Sequence, residues 1–130
     1  PVVVLDEPTT GLDYRECVKV MDIIRRIHER GTTVVMVCHD MEVVADYAAR
    51  CIVMSGGEVV DDAPTFDVLR NRETLERASL VPPQIVELSL ELGREIPRLA
   101  DGSVGRANTV DEMAAAVMEE VRMSERSVCA

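Results

Sequence analysis

The sequence has few aromatic residues, little positive charge and no long apolar run. Aromatic residues make up 2% of the 130 residues and tryptophan is absent, so the core has to be built from aliphatic side chains. The net charge of −10 disfavours nucleic acid or an anionic lipid surface as a direct partner. No apolar run approaches the roughly 20 residues that a membrane-spanning helix needs, and no signal peptide is visible.

The sequence contains four cysteines, and their spacing fits neither a disulfide framework nor a metal site. Most of them lie in apolar runs or on an apolar helix face, where a reduced thiol behaves as a small hydrophobic group. This usage is typical of a cytosolic protein. The four are Cys17, Cys38, Cys51 and Cys129.

The most informative stretch is an apolar strand that ends on two adjacent carboxylates. Residues 2–5 are apolar and mostly β-branched, which predicts a buried parallel strand. Asp6 and Glu7 follow at the carboxyl edge of the sheet, where ligands bind in open α/β proteins. One carboxylate at that edge can hold Mg²⁺, and its neighbour can polarise an attacking water.

A second apolar strand is expected to end at the same edge. A helical pattern over residues 14–30 follows the first strand, and Gly31 ends it. Residues 32–38 form the next apolar run, and His39 comes directly after it. Two strands joined by a helix through short connections run parallel, so His39 is predicted to lie at the edge that carries Asp6 and Glu7.

Two motifs together resemble the ATPase subunits of ABC transporters. The first is Asp-Glu-Pro-Thr-Thr-Gly-Leu-Asp at residues 6–13, and the second is Cys-His-Asp at residues 38–40. The first strand is similar to a Walker B strand, residues 10–13 to the D-loop, and His39 to the switch histidine of that family. The resemblance implies a P-loop NTPase fold that uses ATP and Mg²⁺ and hydrolyses the nucleotide.

The resemblance also implies the roles of three residues in hydrolysis. Asp6 would bind Mg²⁺ through water, and Glu7 would act as the general base or position the attacking water. His39 would contact the γ-phosphate and orient that water.

The resemblance further implies that Thr10, Gly11 and Asp13 belong to the D-loop. In the family, that loop crosses the interface between two nucleotide-binding domains and so helps to complete the ATP site. Asp is also a good helix N-cap, so Asp13 can both cap the following helix and serve in the loop.

A phosphate-binding P-loop is missing from the sequence. The family needs Gly-x-x-x-x-Gly-Lys-Ser/Thr, but the one lysine here, Lys19, lies in a helical pattern, and Asp13 and Val18 stand where the motif needs glycine. Ser-Gly-Gly at residues 55–57 is similar to the family's signature motif, yet it stands after Walker B between two apolar runs, which predicts a β-hairpin. We therefore expect the C-terminal half of a longer protein, inactive by itself, whose unpaired apolar first strand drives self-association.

The C-terminal region is predicted to contain two helices. After the breaker Pro-Pro at residues 82–83, an amphipathic helix over residues 85–92 is expected to end at Gly93. Residues 97–108 lack periodicity and are expected to form a loop. The last helix begins at Thr109 as a capping box and is expected to give way to a loose tail over residues 124–130.

The Pro-Pro-Gln breaker and the capped helix resemble the C-terminal extension of energy-coupling-factor ATPases, which drive uptake of vitamins, cobalt and nickel. The expected domains are the C-terminal part of the nucleotide-binding domain, residues 1–79, and a helical extension, residues 80–130.

The predicted fold class is α/β: the C-terminal half of a P-loop parallel sheet with flanking helices, a β-hairpin and a small helical extension. The resemblance implies ATP hydrolysis coupled to import of a vitamin or metal ion. The partners would be a second nucleotide-binding domain and integral membrane subunits, at the inner face of the cell membrane. Two alternatives stay open, a soluble ABC ATPase without a membrane partner and a non-catalytic dimerisation or interaction module.

Overall fold

The computed structural model describes residues 1–100 and 102–128 of the chain. They form two compact units, the first being Pro1–Ala49 and the second beginning at Arg50. The domain boundary expected after residue 79 stays a prediction. Within the described residues, no helix is long and apolar enough to cross a membrane.

The first unit alternates strands and helices, in the order β1 (Val2–Asp6), α1 (Tyr14–Glu29), β2 (Thr33–Val37) and α2 (Met41–Tyr47). β1 and β2 pair in parallel, with Asp6 opposite Val37. The carboxyl ends of both strands therefore lie at one edge, as the strand–helix–strand pattern predicts. The buried apolar side chains of this unit come from its helices: Met21, Met41, Val43 and Val44.

One face of the two-stranded sheet is apolar and exposed. Half-buried and exposed residues alternate along both strands. The exposed set includes Val2 and Val4, with 65% and 69% of their surface accessible, together with Val35 and Val37. Exposed β-branched side chains on a short sheet favour association with another chain. The self-association expected from the sequence stays a prediction, which light scattering of the 130-residue chain tests.

The second unit begins with an antiparallel hairpin of β3 (Arg50–Ser55) and β4 (Glu58–Pro64). Ser55 pairs with Glu58, so Gly56 and Gly57 form a two-residue turn, and their φ angles are +60° and +83°. Such turns need positive φ at their centre, which glycine adopts without a steric penalty. The Ser-Gly-Gly run is therefore the hairpin turn predicted from the flanking apolar runs.

Six helices follow the hairpin in the described part of the chain. They are α3 (Thr65–Arg70), α4 (Arg72–Ala78), α5 (Gln84–Glu95), α6 (Pro97–Ala100), α7 (Ser103–Arg106) and α8 (Val110–Val128). The core against α8 consists of Leu99, Val104, Ala107, Met113 and Ala116, with Ile85 and Leu92 packed beside it.

Three expectations for this region were wrong. The helix predicted over residues 85–92 does not end at Gly93, because α5 continues to Glu95. Gly93 instead lies against α6, where a Cβ would approach the Cα of Ala100 to 3.1 Å. Residues 97–108 contain α6 and α7, each of four residues, which is too short to show a helical period in sequence. The loose tail expected from residue 124 is helical as far as Val128, and residues 129–130 lie outside the described residues.

The cap of α8 has the predicted residues with one difference in detail. The Glu112 N–H donates to Thr109 Oγ1 at 3.2 Å, as in a capping box. The Glu112 carboxylate accepts from the Asn108 N–H at 2.8 Å instead of reaching the Thr109 N–H. Both bonds satisfy donors at the helix entry, so the helix begins where the sequence placed it.

A half-buried guanidinium ties α3 to the helices that follow it. Arg70 donates to two side chains, through Nε to Asn108 Oδ1 at 3.0 Å and through Nη2 to Ser89 Oγ at 3.0 Å. Its Nη atoms also donate to two backbone carbonyls, that of Gly105 at 3.0 and 3.1 Å and that of Ala107 at 3.3 Å. Burial lowers the pKa of this arginine. Gly105 leaves no room for a side chain, since a Cβ would meet the carbonyl oxygens of Leu99 and Ala100 at 2.4 Å. Arg70 thus satisfies carbonyls in a segment that is packed too tightly to rearrange.

We expect Arg70→Ala to lower the free energy of unfolding of the second unit by about 2–4 kcal/mol, because buried carbonyls lose charge-assisted bonds and stay unpaired. Urea unfolding followed by circular dichroism measures this change. The matched control is Arg72→Ala, which removes an exposed ion pair with Glu91 and is expected to cost less than about 1 kcal/mol. Equal effects of the two substitutions would contradict the anchoring role of Arg70.

Candidate functional site

The site lies where β1 and β2 end. The Glu7 N–H donates to the Val37 carbonyl at 2.9 Å, so the parallel ladder continues one residue beyond β1. Glu7 itself has a φ of +47°, a left-handed conformation that few non-glycine residues adopt. Such conformations are retained when neighbouring contacts hold them, and they are frequent at functional sites.

Glu7 and His39, predicted from two separate strands, are in direct contact. His39 Nδ1 lies 2.7 Å from each carboxylate oxygen of Glu7. The His39 side chain is 73% exposed and that of Glu7 33% exposed, so one face of the imidazole is open to solvent. The parallel pairing therefore brings together two of the residues that the sequence singled out for hydrolysis.

The contact changes the ionisation of both groups. The hydrogen bond to Glu7, with the charge of that carboxylate, raises the pKa of His39 above its ordinary 6.5. The bond from His39, followed by one from Thr10, lowers the pKa of Glu7. The pair is fully charged between the lowered pKa of Glu7 and the raised pKa of His39. The stabilisation from this ion pair is lost as pH falls through the lowered pKa of Glu7 or rises through the raised pKa of His39.

The loop after Glu7 is held by its own hydrogen bonds. Thr10 Oγ1 donates to Glu7 Oε2 at 2.9 Å, and the Thr10 N–H donates to the Glu7 carbonyl at 3.2 Å. Gly11 has a φ of +80°. Asp13 Oδ1 accepts from the Glu16 N–H at 2.9 Å, so Asp13 is the N-cap of α1, as its residue type allowed. No bond links Asp13 to the Glu7–His39 pair among the described residues.

Asp6 lies at the end of β1 and is exposed. Within residues 1–100 and 102–128, no hydrogen bond or ion pair involves its carboxylate, and no group of three or more His, Cys, Asp or Glu is arranged to hold a metal ion. A single free carboxylate suits Mg²⁺, which keeps several waters and takes most remaining ligands from substrate phosphates. Asp6 thus fits the role of one magnesium ligand and does not form a complete site.

A cleft of about 270 Å³ lies beside the loop, between the start of α1 and α2. Three of its lining residues are acidic, namely Asp40, Glu42 and Asp46. Burial, with the charges of Glu42 and Asp40, raises the pKa of Asp46. This lining repels anions, so the cleft is unsuited to the phosphates of a nucleotide.

Two contacts at this edge were not foreseen from the sequence. Asp40 caps α2, because its Oδ1 accepts from the N–H groups of Glu42 at 3.0 Å and Val43 at 3.4 Å. The available signal was an Asp directly before an apolar helical run. The bond from Thr10 to Glu7 had no comparable signal, since it depends on the left-handed conformation of Glu7. Burial raises the pKa of Cys38, so this thiol stays protonated, and its Sγ accepts from the Asp40 N–H at 3.3 Å.

Known proteins show strong similarity to this chain. It is 37% identical over 114 residues to the energy-coupling factor transporter ATP-binding protein EcfA2 of Acetivibrio thermocellus, a match that covers 87% of this chain and 41% of the relative. It is 46% identical over 92 residues to the EcfA2 protein of Clostridium perfringens, covering 70% of this chain and 32% of the relative. The chain is a homologue of ABC transporter ATP-binding proteins.

Other comparisons agree with this assignment. A Methanosarcina mazei protein named as an ABC transporter ATP-binding protein is 46% identical over 94 residues, which is 72% of this chain and 16% of the relative. The solved structure of cbiO1 from Clostridium perfringens, part of the ABC transporter complex cbiONQ, matches with a TM-score of 0.50 and 24% identity. That match covers 75% of this chain and 34% of cbiO1, and it supports the fold alone. No family model matches the chain.

The chain spans only part of the length of these relatives. It covers 16% of the Methanosarcina protein and 41% of the Acetivibrio EcfA2 protein. The matched region is the C-terminal part of such proteins, and it carries the α/β fold, the hairpin and the helical region expected from the sequence.

We expect Glu7→Gln to lower the pKa of His39 toward its ordinary 6.5, because the substitution removes the charged acceptor that favours the imidazolium. A pH titration of the histidine ring signals by NMR measures the shift. Glu16→Gln is the control, since it removes an exposed carboxylate paired with Lys19 on α1. An unchanged His39 titration in Glu7→Gln would show that the two side chains are apart in solution.

Proposed function

We propose that this chain carries the hydrolytic half of an ATP site in a transport-coupled ABC ATPase. The observation that carries the proposal is the contact between Glu7 and His39, 2.7 Å apart at the shared carboxyl edge of β1 and β2. An acidic residue and a histidine in contact at that edge can together orient one water beside them. The homologues named as ABC transporter ATP-binding proteins support the same assignment.

Each residue has a distinct role in this proposal. The Glu7 carboxylate accepts a hydrogen bond or a proton from the attacking water, and its lowered pKa keeps it ionised near neutral pH. The exposed face of His39 contacts the γ-phosphate and helps to orient the water. Asp6 would hold Mg²⁺, which supplies charge neutralisation at the phosphates when it is bound.

This sequence has no motif that could bind the phosphates of ATP. No Gly-x-x-x-x-Gly-Lys-Ser/Thr run is present in the 130 residues, and such a run provides the amides and lysine that grip the phosphates. The neighbouring cleft is acidic and does not replace it. We infer that the chain by itself neither binds ATP tightly nor hydrolyses it, and that a longer polypeptide supplies the phosphate cradle.

The loop from Thr10 to Asp13 is proposed to cross the interface with a second nucleotide-binding domain. Gly11 would approach the nucleotide of the partner there, with Thr10 next to it in the loop, while Asp13 keeps its capping bond to Glu16. The exposed valines of the sheet provide an apolar surface for further contacts of the parent. The relatives named as transporter ATP-binding proteins support such an assembly.

Transport is the proposed use of the hydrolysis. Two relatives are named energy-coupling factor transporter ATP-binding proteins, which supports a transport function. We propose a peripheral subunit at the cytoplasmic face of the membrane that drives import of a vitamin or metal ion. The acidic net charge of −10 favours this function over work on nucleic acid.

In the longer polypeptide that contains this chain, we expect Glu7→Gln to reduce ATP hydrolysis by about 100-fold or more, because the general base is lost. ATP affinity is expected to change by less than about threefold, since the phosphate cradle is untouched. Phosphate release and calorimetry measure the two quantities. The 130-residue chain in the same assays should show no hydrolysis, and its dissociation constant for Mg-ATP should be above about 1 mM. Full hydrolysis by Glu7→Gln, or tight binding by the short chain, would contradict the assignment.

Co-purification separates transport from a soluble ATPase. The longer polypeptide, captured from detergent-solubilised membranes, is expected to bring down integral membrane proteins in stoichiometric amounts, identified by mass spectrometry. The Glu7→Gln variant serves as a matched sample, because loss of hydrolysis should not release the membrane subunits. Recovery of ribosomal or DNA-repair proteins without membrane subunits would overturn the transport function and leave the hydrolytic site intact.

A further inference from the structure

Glu7 is fixed by a residue of its own loop as well as by His39. We propose that Thr10 is a positioning residue for Glu7, acting within the same chain through a hydrogen bond to the carboxylate. This inference rests on the proposed function for its catalytic consequence. It differs from the interface role of the loop, because the Thr10 hydroxyl donates to Glu7 Oε2 of the same chain, 2.9 Å away.

Two bonds between the same two residues form the basis of the proposal. The Thr10 N–H donates to the Glu7 carbonyl at 3.2 Å, which closes a tight turn over Pro8. The Thr10 hydroxyl then donates to the Glu7 side chain across that turn. The turn therefore fixes both the backbone of Glu7 and the direction of its carboxylate.

The backbone of Glu7 needs such support. Its φ of +47° is costly for a residue with a side chain, and the proline that follows restricts its conformation further. A strained residue keeps its conformation only where several contacts hold it. Here those contacts are the bond from the Glu7 N–H to Val37, the two bonds from Thr10 and the contact with His39.

Thr10 is a firmer anchor for the Glu7 carboxylate than His39 is. The His39 side chain is 73% exposed, and in the proposed reaction it also contacts a phosphate, so it is a weak anchor for the carboxylate. Thr10 belongs to a loop whose next residues are fixed, since the Leu12 N–H donates to the Thr9 carbonyl at 3.2 Å and Asp13 caps α1. The hydroxyl thus holds Oε2 from a fixed position, whereas Oε1 has, among the described residues, only the exposed His39 ring as a neighbour, at 2.7 Å.

The test compares Thr10→Val, which keeps the shape and removes the hydroxyl, with Thr10→Ser, which keeps the hydroxyl. In the longer polypeptide we expect Thr10→Val to lower kcat for ATP hydrolysis about tenfold, with KM unchanged within about twofold. Thr10→Ser should restore kcat to within about threefold of the unmodified protein. Thr33→Val is the matched control, because Thr33 lies at the opposite end of β2 from His39. Loss of activity in Thr10→Ser as well would overturn the proposal.

A double substitution tests whether Thr10 acts through Glu7. We expect Thr10→Val with Glu7→Gln to be no slower than Glu7→Gln alone in single-turnover hydrolysis, because the group that Thr10 positions is already lost. Multiplied losses would show that Thr10 acts elsewhere, as at a domain interface, and would overturn the proposal.

A structural readout separates this inference from the proposed function. In the 130-residue chain, Thr10→Val is expected to shift the ring nitrogen resonances of His39, because the carboxylate that contacts the ring becomes mobile, whereas Thr10→Ser and Thr33→Val leave them unchanged. Unchanged resonances in Thr10→Val would overturn the positioning role whatever the activity. If Glu7→Gln keeps full hydrolysis while these shifts occur, the proposed function fails and the positioning of Glu7 stands.

Discussion

Parallel hydrogen bonding between β1 and β2 sets the position of every residue at the candidate site. The register places Asp6 opposite Val37, and the bond from the Glu7 N–H to the Val37 carbonyl extends the ladder by one residue. His39 follows two residues later and meets the Glu7 carboxylate at 2.7 Å. A shift of register by one residue would turn these side chains to the opposite face of the sheet and separate them. The chemistry proposed for the site therefore depends on backbone pairing in a small sheet.

The loop after β1 holds the Glu7 carboxylate in position. Glu7 leaves the strand in a left-handed conformation, Thr10 bonds to both its backbone and its side chain, and Asp13 begins α1 through a capping bond. These three features act in sequence along a single short segment. Capping at Asp13 explains why that residue is structurally useful whether or not a second domain is present. The loop is thus held by hydrogen bonds within its own chain.

The second unit relies on a different kind of contact. Its hairpin is local, but the helices after it are joined by Arg70, which reaches two separate segments, Ser89 of α5 and residues 105–108, through side-chain and carbonyl acceptors. The tight contacts of Gly93 with Ala100 and of Gly105 with Leu99 allow short helices to pack where a side chain would not fit. The similarity to energy-coupling factor ATP-binding proteins, with up to 87% of this chain matched, includes part of this helical region.

The sequence by itself determined the features that depend on local pattern. Apolar runs gave both strands of the first unit, Gly-Gly gave the hairpin turn, and Thr109 with Glu112 gave the start of α8. The motifs around Glu7 and His39 resemble those of ABC transporter ATPases, and the homologues agree with that resemblance. The pairing of these two residues followed from the rule that such strands run parallel.

Only the tertiary structure decided the contacts between residues that no shared sequence pattern links. The glycines at 93 and 105 look like helix breakers in sequence, and only packing against α6 shows that they permit close approach. Arg70 has no sequence pattern that links it to Ser89 or Asn108, since its acceptors lie on distant segments. The bond from Thr10 to Glu7 required the left-handed turn of Glu7, a conformation that strand propensity does not predict and that surrounding contacts impose.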